Sequence, residues 1–179
     1  MSWGYFVELD LRLPAAALAA LKKSRPAEVE LPPGWSGFSD RSLEGAFGRR
    51  ITKKETFTRT LSWYQGEGSI QREETTGDHT TLHVLTMLEK SVLDEAFPLA
   101  ALVFAAREHG GEGTLRFVND GTSGGEFGLE LSVGRGTITS RQLKEDWELV
   151  GRLGEALYAL PPASVGAVRI NPFTGMPLE

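Results

Sequence analysis

The chain has 179 residues, 40% of them hydrophobic and 24% charged, with a formal net charge of −5 and no cysteine. This length supports one domain with a core of its own, and the lack of cysteine excludes disulfides, thiolate metal sites and cysteine nucleophiles. The acidic balance disfavours non-specific nucleic-acid binding, and no apolar run reaches the roughly 20 residues that cross a bilayer. Met1 to Tyr5 lacks a basic start leading into an apolar core, so no secretory signal is expected and the cytoplasm is the expected compartment.

Taken in chain order, Trp3, Tyr5, Val7, Leu9, Leu11 and Leu13 alternate with Ser2, Gly4, Phe6, Glu8, Asp10 and Arg12, the period of a strand with one face on a core. Pro14 then opens an alanine-rich helix through Lys23. Residues 25–50 form an irregular loop broken by Pro32-Pro33-Gly34, with Trp35 and Phe38 as large apolar groups and a helical turn expected near Ser42–Phe47. Phe57, Arg59, Leu61 and Trp63 alternate with threonine and serine and predict a strand. With Ser69–Thr76 and His79–Leu88 it predicts a three-stranded antiparallel meander, because connections this short cannot join parallel strands.

Asp94–Gly111 is apolar on nearly every side, which predicts a buried helix. Asp94 is its expected cap and Gly110 its expected left-handed end. Strands follow over 115–118, 127–133 and 137–141, the last two joined at Gly134-Arg135-Gly136. A helix over 142–160 sets Leu143, Trp147, Val150, Leu153 and Leu157 at helical spacing, and 161–179 reads as an extended tail with a short strand at 165–170. Strands grouped between helices predict an α+β fold: one globular domain over 1–179, with about six strands in a single antiparallel or mixed sheet, three helices, and Asp94–Gly111 buried on the sheet.

Asn119 to Glu126 is the most suggestive stretch for chemistry. Its small residues can cradle an anion, and Asn119, Asp120 and Glu126 offer oxygen ligands to a hard cation. It lacks the lysine of a P-loop and the acid ladder of an EF-hand, so a wide hairpin loop is the plainer reading. Ser123 with His79 or His83 has the chain order of a serine-protease pair, but the surrounding element order does not suit that fold. His79 and His83, four residues apart on a strand, lie about 13 Å from each other, too far to share one ion. Arg49, Arg50, Lys53 and Lys54 form a basic cluster best read as a solvated loop facing Glu73 and Glu74. No catalytic residue, cofactor site or metal site is therefore assigned.

In its general character, carried by the Trp3–Leu13 strand, the Phe117–Glu126 loop and the Asn171–Gly175 turn, this compact acidic cysteine-free domain resembles the immunity proteins that bacteria make against their own toxins. The resemblance implies a non-catalytic protein that binds and blocks one cognate, basic toxin as a monomer or weak dimer. The expected contact residues are Trp35, Glu73, Glu74, Asp78, Asp120, Glu126 and Glu130. The alternative is a small-ligand or divalent-metal-dependent domain using the Asn119–Glu126 loop.

Overall fold

The computed structural model describes residues 4–29, 55–65, 68–89, 96–121 and 127–158. Among these, six strands form one sheet: β1 (Gly4–Pro14), β2 (Ser69–Thr76), β3 (His79–Glu89), β4 (Glu112–Asn119), β5 (Gly128–Gly134) and β6 (Thr137–Gln142). Their order is β2-β3-β1-β4-β5-β6, every neighbouring pair is antiparallel, and the fold is α+β. The helices are α1 (Ala15–Leu21), α2 (Phe57–Leu61), α3 (Phe97–Ala106) and α4 (Trp147–Tyr158).

The alternation in β1 sends Tyr5, Val7, Leu9, Leu11 and Leu13 to one face, where Leu82, Val84, Leu115, Phe117, Leu129 and Leu131 join them. Helix α3 lies on this inner face, with nine of its side chains buried, as its all-round apolar sequence requires. Burying Phe97, Leu99, Leu102, Val103 and Phe104 contributes about 1.5–3 kcal/mol each. Pro98 sits in the first turn, where its missing N–H leaves no helical bond unmade. After a 3₁₀ turn at Arg107–His109, Gly110 takes the left-handed conformation with φ +70°. Gly111 N then donates to Ala106 O at 2.9 Å, the closing bond of a Schellman end. The expected cap Asp94 lies outside the described residues.

Helix α4 covers part of the other, outer face. Its Leu153 is buried with Phe6, Ile70, Leu85, Val118 and Phe127, and Leu149, Val150 and Leu157 pack against them. It begins at Trp147, later than the sequence suggests, because Gln142 still belongs to β6. Asp146 caps it by accepting from Leu149 N at 3.0 Å.

Two expectations are corrected. The Phe57–Trp63 strand is helix α2 followed by a 3₁₀ turn at Ser62–Gln65, so β2 and β3 make a hairpin and not a three-stranded meander. Phe57, Thr60, Leu61 and Tyr64 are buried, a spacing of three, four and seven that belongs to a helix. The Thr56 side chain caps it by accepting from Arg59 N. The second correction is that Glu130 of β5, expected among the contact residues, is buried in a charged network on the outward side of the sheet.

Candidate functional site

The network follows from strand register. Glu8 of β1 stands opposite Arg116 of β4, Arg116 opposite Glu130 of β5, and Glu130 opposite Arg141 of β6. Side chains directly across a sheet share a face, so acid and base alternate along this row. Arg116 donates from Nη1 to Glu8 Oε2 at 2.9 Å and from Nε to Glu130 Oε2 at 2.7 Å. Arg141 Nε donates to the second Glu130 oxygen at 2.8 Å.

One step along β1, on the same face, Asp10 stands opposite His83 of β3, which in turn faces Arg72 of β2. Asp10 Oδ1 and His83 Nδ1 are 2.7 Å apart, and both side chains are partly buried. Glu8, Asp10 and His83 thus converge, each offering a ligand atom within 4.8 Å of the other two.

The electrostatics match the geometry. The hydrogen bond to His83 holds the Asp10 carboxyl below the usual carboxylate range despite partial burial, and the same bond raises the His83 imidazole. Burial by itself would raise Glu130, but hydrogen bonds from Arg141 and Arg116 outweigh it and hold the group low. Burial works against the Arg116 charge, which its bonds to Glu130 and Glu8 restore and strengthen.

The expected contact residues separate into three sets. Glu73, Glu74 and Asp78 all belong to the β2–β3 hairpin at one edge of the sheet, Glu73 and Glu74 on opposite faces of β2 and Asp78 in the turn. Glu73 is paired with Lys22, Glu74 is exposed, and the Asp78 side chain is 92% exposed beside His79, whose Nδ1 lies 2.6 Å from its carboxylate. Asp120 and Glu130, expected on the wet surface, are instead buried. Asp120 Oδ2 accepts from Gly4 N at 3.2 Å, and Asp120 N donates to Gly4 O, so this acid fastens the start of β1. Trp35 and Glu126 lie outside the described residues, as do Ser123, the Arg49–Lys54 cluster, the Ser42–Phe47 turn and the tail.

Within the Asn119–Glu126 loop, Asn119 Oδ1 accepts from Gly121 N at 2.9 Å, an Asx turn in which Gly121 adopts φ +84°. The ring of Trp147 lies directly over Gly121 and meets Phe127 edge-on at 5.5 Å. His79 and His83 are both on β3, as expected, but each is engaged by an aspartate and not by the other. The Asp10–His83 and Glu8–Arg116 pairs escaped sequence reading because 73 and 108 residues separate their members.

The chain matches no family model, no curated protein and no solved structure. Among the described residues no helix is long and apolar enough to cross a membrane.

Proposed function

We propose that this chain is a non-catalytic binding protein that docks a basic protein partner through the β2–β3 hairpin, in the manner of the immunity proteins whose general character it shares. The observation that carries this reading is the placement of Glu73, Glu74 and Asp78 on an outer strand and its turn. Glu74 and Asp78, exposed there, create a negative field without the cost of burying charge, whereas the charge of Glu73 is offset by Lys22. Such fields speed the encounter with a basic surface. Asp120 and Glu130 are buried and held by intramolecular partners, which takes these two acids out of the contact surface.

The experiment is co-expression with a small basic toxin encoded beside this gene. The wild-type chain restores growth, and a Glu73→Lys, Glu74→Lys, Asp78→Lys variant of unchanged melting temperature does not. In a binding assay, association with the wild type slows as salt rises, and the variant shows little of that dependence. Equal protection by the variant overturns this surface.

A further inference from the structure

We propose that Glu8, Asp10 and His83 bind one divalent transition-metal ion of the zinc class, in a site open to solvent on the outer face of the sheet. The three ligand atoms lie within 4.8 Å of one another. They come from strands paired on both sides: Glu8 and Asp10 sit two residues apart on β1, and His83 stands opposite Asp10 on β3. Residues two apart on a strand share a face, so both carboxylates and the imidazole project the same way.

The donor set decides the class of ion. One imidazole with two carboxylates suits zinc and its neighbours, whereas magnesium and calcium favour all-oxygen surroundings. Bonds of about 2.0–2.2 Å to a tetrahedral ion place its ligand atoms roughly 3.4 Å apart. The widest separation therefore closes by up to about 1.4 Å. Asp10 Oδ1 and His83 Nδ1, now 2.7 Å apart, exchange their hydrogen bond for the ion and move slightly apart. Side-chain rotation can supply both shifts because all three residues are only partly buried. Solvent completes the coordination shell.

Arg116 is the competitor for Glu8, which it holds through Nη1. It has a second anchor in Glu130 through Nε, so Glu8 can turn to an ion without leaving that guanidinium unpaired. The neighbouring pair His79 and Asp78 provides an internal comparison. It has the same two residue types at 2.6 Å but belongs to no three-residue ligand group among the described residues.

The test is calorimetric titration of the untagged, chelator-stripped full chain with Zn²⁺, and separately with Mg²⁺. Saturable uptake of one Zn²⁺ is expected, with Mg²⁺ far weaker. His83→Gln and Asp10→Asn each lower the Zn²⁺ affinity by about tenfold or more, and His79→Gln leaves it unchanged. A second readout needs no variant. The chain has three histidines, and at saturating Zn²⁺ the ring proton resonances of His83 shift while those of His79 and His109 stay in place. Absence of saturable uptake, equal binding of Mg²⁺, or a response centred on His79 or His109 overturns the site.

Discussion

Arg116 and Glu130 face each other across β4 and β5 and are joined at 2.7 Å, with only 6% of the Glu130 side chain exposed. Because Arg116 also holds Glu8, one guanidinium pairs with carboxylates from two different strands. Arg116→Met keeps most of the apolar stem but leaves both acids without that partner. A loss of about 2–3 kcal/mol is expected from urea unfolding. Arg141→Met, at the exposed end of the row with 70% of its side chain in solvent, is expected to cost far less. Equal losses for the two would mean that the row does not act as a graded network.

The same pairing sets a pH dependence. The Glu130 carboxyl is held below its ordinary value in the folded chain. The unfolded chain therefore binds more protons in the acid range, and stability rises with pH there. The contribution is complete above the unfolded pKa of about 4.3 and disappears as pH falls through the lower folded value. In Glu130→Gln the slope of unfolding free energy against pH is expected to flatten in this window. Asp10 and Asp78, also held low, leave a residual slope. Parallel curves for the two proteins would contradict the assignment.

Leu102 is fully buried at the centre of α3. Leu102→Ala is expected to lose about 2–5 kcal/mol, depending on how far the sheet and helix close around the space. Denaturant midpoints with an unchanged m-value would show that the loss is one of stability alone.

Gly113 passes so close to β1 that an added Cβ would stand 2.1 Å from Asp10 O and 2.8 Å from Leu11 Cα. Both are backbone atoms that no rotamer change can move. Gly113→Ala is expected to cost at least about 1–3 kcal/mol and to disturb the β1–β4 pairing. Gly134, with nothing within 4 Å of the added atom and no positive φ, is the control, and Gly134→Ala is expected to be close to neutral. Thermal melts of the two variants decide the point.

Much of the architecture was legible because it is written in local periodicity. Alternation in β1, β3 and β5 and the unbroken apolar run of α3 each name an element and its buried side. The Arg135-Gly136 hairpin was equally plain, and both residues adopt the positive φ that such a turn demands. Helix α2 was missed because Phe57 and Leu61 satisfy a period of two and a spacing of four together. Arg59 and Trp63, which a strand would bury with them, are exposed, while Thr60 and Tyr64 are buried. The candidate sites were less legible. Glu130 alternates with leucines and so looks solvated, yet the arginines that cover it arrive from strands whose positions only the folded sheet defines. Glu73, Glu74 and Asp78 could be grouped because they are close in sequence; Glu8, Asp10 and His83 could not.

The central place of β1 has a bearing on how the chain is made. Both of its neighbours follow it in sequence, and the arginine that holds Glu8 lies 108 positions further along the chain. At the ribosome's pace of about 5–20 residues per second, this oily segment waits roughly 5–20 s before its second flank has emerged. Until β3 and then β4 have emerged, at least one edge of its backbone is open to any passing strand or chaperone. Assembly is therefore governed by long-range closure, which places the chain among slow folders and makes its nascent form the stage most vulnerable to aggregation.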